Sequence, residues 1–138
     1  MVLFDTNMIL RYLLNDNEEM AERSTQCLEN GDILVTIEVI AEVVYVLRSV
    51  YSLKRETIAD AVTTFLDLVI CRERKVVILA LKTYEASSLD FVDCVLYAYH
   101  KVEGIEIATF DKKLIKLLTR GALMASSFVP LANCARQW

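Results

Sequence analysis

Two short apolar runs in this chain end in an aspartate and pass at once into a helix-forming stretch. They are Val2–Phe4 before Asp5, in "VLFDTNMILRYLL", and Ile105–Phe110 before Asp111, in "IATFDKKL". Short runs rich in Val, Ile, Leu and Phe read as strands buried on both faces. Strands that alternate with helices imply a parallel sheet covered on both sides. In such a sheet every strand's carboxyl end lies on one edge, where open α/β folds bind ligands. The pattern therefore predicts where Asp5 and Asp111 meet before any function is considered.

The rest of the chain fits this frame. Met8–Leu14 reads as a helix, Asn15–Asn17 as a turn and Glu18–Glu29 as a polar amphipathic helix stopped by Asn30-Gly31. Ile33–Thr36 reads as the second strand, followed by apolar helices over Glu38–Tyr51 and Arg55–Leu68. Val76–Leu79 reads as a third strand, Leu81–Ser87 as a short helix and Phe91–Val102 as a longer one ended by Glu103-Gly104. Ile105–Phe110 is then the fourth strand, Lys112–Thr119 a helix closed by Gly121, and Ser127–Val129 a fifth, edge strand. The expected fold is α/β: three layers, with a central parallel sheet of four to five strands flanked by helices. Its 138 residues fit one domain, and three glycines and one proline leave no room for a flexible linker.

Composition narrows the class. Hydrophobic residues make up 55% of the chain, which suits a sheet buried on both faces or an apolar surface used in assembly. No uncharged stretch approaches the ~18 residues of a membrane helix, and the start lacks the marks of a signal peptide. Cys27, Cys71, Cys94 and Cys134 show no CxxC spacing, so they read as reduced thiols of a cytosolic protein. A net charge of −4 counts against a nucleic-acid partner, because phosphate binding usually leaves a basic footprint.

Each acid has a bland reading. Asp5 and Asp111 are good N-caps. Glu42 lies on the polar stripe 38–42–45–49 of an otherwise apolar helix, as a solvent-facing residue would. Asp90 caps, and Asp93 suits the first turn of, the helix in "SSLDFVDCVLYAYH". The sharper reading takes them together. All lie near the carboxyl edge of the expected sheet, and close carboxylates repel unless one is protonated or a cation intervenes. Oxygen ligands alone suit Mg²⁺ or Mn²⁺, and such a centre organises phosphoryl chemistry.

At these residues the chain resembles the PIN domains, specifically the toxin ribonucleases of VapBC toxin–antitoxin pairs. The matching stretches are "FDTNMILRYLL", the glutamate of "IAEVVYVLRSVY", "LDFVDCVLYAY" and "ATFDKKL", spanning residues 2 to about 118. The resemblance implies a Rossmann-like sheet and an endoribonuclease dependent on Mg²⁺ or Mn²⁺. Asp5, Glu42, Asp93 and Asp111 would be its catalytic and metal-holding quartet, with Asp90 auxiliary. Thr6, Asn7 and Thr109 would support the carboxylates by hydrogen bonds. The family also implies a homodimer, a cognate antitoxin and a cytoplasmic location. Arg11, Arg48, Lys112 and Lys113 are the nearest cations in sequence and would meet RNA, or else are ordinary solvated charges. The extended tail "FVPLANCARQW" departs from the family pattern.

Three other readings compete. A haloacid-dehalogenase-type phosphotransferase needs an aspartate two residues after the first, where this chain has Asn7. A phosphoacceptor receiver domain needs one after the third strand, where "VVILALKTY" has none. A catalytically silent PIN fold used only for binding keeps the acids but not the reaction.

Overall fold

The computed structural model describes residues 1–120. The Ser127–Val129 strand, the Gly121 stop and the 130–138 tail lie outside the described residues. The described elements are β1 (Val2–Leu3), α1 (Thr6–Leu14), α2 (Glu18–Asn30), β2 (Ile33–Leu34), α3 (Ile37–Ser49), α4 (Arg55–Leu66), α5 (Arg74–Ala86), α6 (Phe91–Glu103) and α7 (Lys112–Arg120).

β1 and β2 pair in parallel, with Val2 opposite Ile33 and Leu3 opposite Leu34. The ladder runs on past both strands, because the Phe4 amide donates to the Leu34 carbonyl at 3.0 Å. A third chain segment lies on the far side of β2. Ile70 bridges Leu34 in parallel, donating to the Ile33 carbonyl at 2.8 Å and accepting from the Val35 amide at 2.9 Å. Phe4, Ile33 and Val35 are fully buried, so this narrow sheet runs through the core.

The strand expected at Val76–Leu79 does not exist: those residues are the first half of α5, which also absorbs the short helix expected over Leu81–Ser87. The physical reason is periodicity. Val76, Val77, Ala80, Leu81 and Tyr84 are all buried, and a 1-2-5-6-9 spacing is one face of an α-helix. The β-branched pair at the front imitates a strand when it is cut out of that pattern. The third place in the sheet falls instead to Ile70, between two helices. The 105–110 segment supplies one bridging residue, Ile107, and no longer run of strand among the described residues. Four to five strands are therefore not seen here; the described sheet has two, extended by the Ile70 bridge.

Helices make up the bulk of the core. α5 packs mainly on α6 and α4, while α3 touches α1, α4 and α6. Edge-to-face contact of Tyr84 with Phe91, 5.9 Å between ring centres, fixes α5 against α6. Arg55 lies 4.1 Å over the Tyr84 ring and donates to the carbonyls of Tyr84 and Leu89. Its charge thus holds the turn that leads into α6 and aims Asp90 and Asp93.

Candidate active site

Because β1 and β2 are parallel, the helices that follow them start on the same edge of the sheet. Asp5 is the N-cap of α1, where its Oδ1 accepts from the Met8 amide at 2.9 Å. That bond uses one carboxylate oxygen. Thr36 caps α3 in the same manner, and Glu42 lies on the second turn of α3. The two helices are joined at this edge: the Thr6 hydroxyl donates to Glu42 Oε2 at 2.7 Å. Thr6 follows Asp5 directly, so this bond fixes Glu42 beside the end of β1.

The second pair of acids comes from α6 and α7. Asp111 accepts from the Leu114 amide at 2.8 Å through Oδ1 and so caps α7. Its own amide donates to the Thr109 hydroxyl at 3.0 Å. Thr109 thus supports Asp111 through the backbone rather than through the carboxylate. Asp90 stands at the N-cap of α6 but makes no side-chain capping bond, so the bland reading of this residue lacks the contact it needs. Asp93 is half-buried one turn in. Asp90, Asp93, Asp111, Lys112 and Lys113 line one cleft of about 410 Å³.

The Asp93 carboxyl is held above its ordinary value of 3.8, first by burial, then by the charges of Asp111 and Asp90. A helix N-terminus pulls the other way, so burial, helped by the neighbouring negative charges, wins here. Among the described residues the ion pairs are Arg11–Asp16 and Arg74–Asp67. None relieves the acids at this edge.

A second groove, of about 460 Å³, runs between α3 and α6 and also reaches Asp90 and Asp93. Tyr45 and Arg48 line it from α3, and Val92 lines it from α6. The polar stripe that carries Glu42 therefore faces a groove along part of its length. Thr6–Glu42 joins α1 to α3, this groove joins α3 to α6, and the acidic cleft joins α6 to α7. The expected acids thus fall in two groups, Asp5 with Glu42 beside the end of β1 and Asp93 with Asp111 in the acidic cleft.

They are not closed around a point. Among the described residues, no three acidic, histidine or cysteine side chains stand close enough to enclose an ion. The fit to a hard divalent cation rests on chemistry: oxygen donors only, and an Asp93–Asp111–Asp90 group whose negative charges crowd one another. Of the expected supporting residues, Thr6 holds a carboxylate, Thr109 holds a backbone, and Asn7 makes no side-chain bond to an acid among the described residues. Arg11 is committed elsewhere, to Asp16 at 2.7 Å and to the Tyr51 hydroxyl. Arg48, Lys112 and Lys113 do line the two clefts. Two residues that sequence reasoning passed over also line them: Tyr45, an aromatic on a polar helical stripe, and Phe110, an aromatic directly before an edge aspartate.

The chain belongs to the PIN domain family: the PIN domain family model matches residues 2–118. More particularly, the chain is similar to a VapC ribonuclease of Aquifex aeolicus (strain VF5), at 33% identity over 125 residues that cover 85% of this chain and 92% of the relative. No solved structure matches the chain significantly.

Proposed function

We propose that this PIN domain is an endoribonuclease dependent on Mg²⁺ or Mn²⁺, acting as the toxin of a type II toxin–antitoxin pair. One observation carries the catalytic reading: Asp90, Asp93 and Asp111 share a cleft in which Asp93 is held above its usual carboxylate range, and none of the three is in an ion pair among the described residues. The similarity to a VapC ribonuclease supports RNA as the substrate and an antitoxin as the partner. On this reading the protein works in the cytoplasm as a homodimer, and the whole chain is one PIN domain.

Asp5, Glu42, Asp93 and Asp111 would hold the metal, with Asp90 as an auxiliary ligand. When bound, a divalent cation there lowers the pKa of water and offsets charge on the leaving oxygen. The chain's own residues prepare that chemistry. Capping by Oδ1 of Asp5 and of Asp111 fixes both carboxylates and leaves each Oδ2 free of that bond. Thr6 holds one oxygen of Glu42 and leaves the other free of that bond. Asp93, crowded by Asp111 and Asp90 and partly buried, is a carboxylate whose charge a bound cation would relieve, while Glu42 would hold metal or orient the water. Lys112 and Lys113 give the acid-lined cleft a positive rim that a phosphodiester can approach.

The deciding variant is Asp5→Asn. Asn caps a helix about as well as Asp, so folding should be kept within a few tenths of a kcal/mol. The expected result is loss of RNA cleavage with an unchanged circular dichroism spectrum. Full activity of Asp5→Asn, or cleavage by the wild type that persists in EDTA, would overturn the proposal. Calorimetry with Mn²⁺ separates it from a silent binding module, for which no metal uptake is expected.

A further inference from the structure

Asp90 and Asp93 share one cleft with each of two exposed aromatic side chains. Tyr45 is 70% exposed and Phe110 is 84% exposed. Each lines a different cleft, and both clefts contain Asp90 and Asp93. Neither position has a folding reason to be aromatic. Tyr45 sits on the outward stripe of α3, one turn from Glu42, where a small polar residue would serve the helix as well. Phe110 stands between Thr109 and Asp111, and its ring lies in solvent. Each aromatic has a cation in the same cleft. Arg48 shares the Tyr45 groove, its guanidinium steadied by a 2.9 Å bond from Nη1 to the Leu53 carbonyl. Lys112 and Lys113 share the Phe110 cleft.

An exposed aromatic beside a cation is what an unpaired nucleotide needs: a flat face for the base and a positive charge for the phosphate. The chain carries 19 acidic against 15 basic residues, so three cations placed beside the acidic edge run against the overall charge. We propose that Tyr45 and Phe110 are stacking platforms for the two bases on either side of the scissile phosphate. The substrate is then single-stranded RNA splayed at the cut, one base turned into the α3–α6 groove and the other onto Phe110. Val92, apolar and exposed in the first groove, covers the edge of the base on Tyr45. Paired RNA is excluded, because its bases cannot open to both sides at once. This inference rests on the endoribonuclease reading and adds which side chains hold the two bases at the cut.

The test uses fluorescence anisotropy of labelled single-stranded RNA on the full chain carrying Asp5→Asn, in Mg²⁺, beside mapped cleavage of the same RNA by the wild type. Adding Tyr45→Leu or Phe110→Leu should weaken binding roughly 5- to 150-fold each, the range that corresponds to about 1–3 kcal/mol per stacked base. Tyr45→Trp and Phe110→Tyr should keep it. An abasic nucleotide next to the mapped cut should cost the parent chain as much as Tyr45→Leu does, and should cost the Tyr45→Leu chain nothing more. Wild-type cleavage together with unchanged binding by both leucine variants overturns the stacking proposal and leaves the nuclease reading standing. Equal binding of a hairpin duplex also overturns it. Leucine variants that bind RNA normally but lose a cognate antitoxin peptide would mark the groove as a protein interface and overturn it too. A wild type that neither binds nor cuts RNA overturns both readings, and its Mn²⁺ calorimetry then shows whether the metal reading fails with them.

Discussion

Asp93 shows how far a single carboxyl can depart from its sequence context. On the first turn of a helix an aspartate is ordinarily stabilised in its charged form. Here burial, with Asp111 and Asp90 nearby, outweighs the helix and raises its pKa. The folded state therefore holds this proton more tightly than the unfolded chain does. The resulting stability is fully present below the ordinary value of 3.8 and is lost as pH rises through the higher folded value. At neutral pH, without metal, the ionised group opposes folding. Asp93→Asn should accordingly raise Tm at pH 7 in EDTA, and the gain should shrink to nothing as the pH falls below the carboxylate range. Thermal melts across pH check this, and a variant less stable than the wild type at pH 7 would contradict it. Mn²⁺ should raise the Tm of the wild type more than that of Asp93→Asn. The thiols give a second test. Cys94 is fully buried and its thiol is pushed up to about 11 by burial, and Cys71 is also buried and raised. Cys27 is exposed. Iodoacetamide at pH 8 should modify Cys27 within minutes and reach Cys71 and Cys94 only after denaturation, as read by peptide mass spectrometry.

Elements were legible where the pattern was long and its ends were marked. α2 and α6 could be read to within a residue or two, because Asn17 and Gly31 bound the first, and Asp90 and Gly104, with its left-handed φ of 70°, bound the second. The helix starts at Asp5 and Asp111 were legible for the same reason, a good cap before a helical run, but the strand expected over Ile105–Phe110 is only a bridge at Ile107 among the described residues. α5 was not, since four consecutive apolar residues at Val76–Leu79 satisfy either period and only the residues beyond them decide. Ile70 was missed because a single bridging residue has no periodicity. Substitution at Lys82 distinguishes the two versions of this region. In a helix starting at Leu81, a proline at 82 would fall in the first turn and be tolerated. In α5 it falls in the interior and removes the bond to the Ile78 carbonyl. Lys82→Pro should therefore cost about 3 kcal/mol or more, measured by urea denaturation against Lys82→Ala.

At the scale of the whole molecule, the conflict between a net charge of −4 and the proposed RNA substrate is one of placement. Arg48, Lys112 and Lys113 gather at the clefts, while Arg11 and Arg74 are spent on neighbouring aspartates. Sequence proximity put Arg11 beside Arg48 as an equal candidate, and only the Asp16 pairing separates them. Few phosphate contacts imply a shallow salt dependence. For single strands the slope of log K against log salt is about −0.7 per phosphate neutralised. Each of Arg48→Ala, Lys112→Ala and Lys113→Ala should flatten it by about that amount, while Arg11→Ala should leave it unchanged and lower Tm instead. Binding titrations at several salt concentrations provide the check.

The capping bonds of Asp5 and Asp111 also bear on how such a protein changes over generations. An aspartate codon becomes an asparagine codon by one base change. At positions 5 and 111 the resulting amide still accepts from the helix amide, so the fold and its outer surfaces scarcely register the change. On the proposed reading the chemistry is abolished all the same. Loss of activity is thus a one-step path with almost no structural barrier. A lineage carrying this chain can disarm it and still keep a folded protein able to occupy the partner proposed for it.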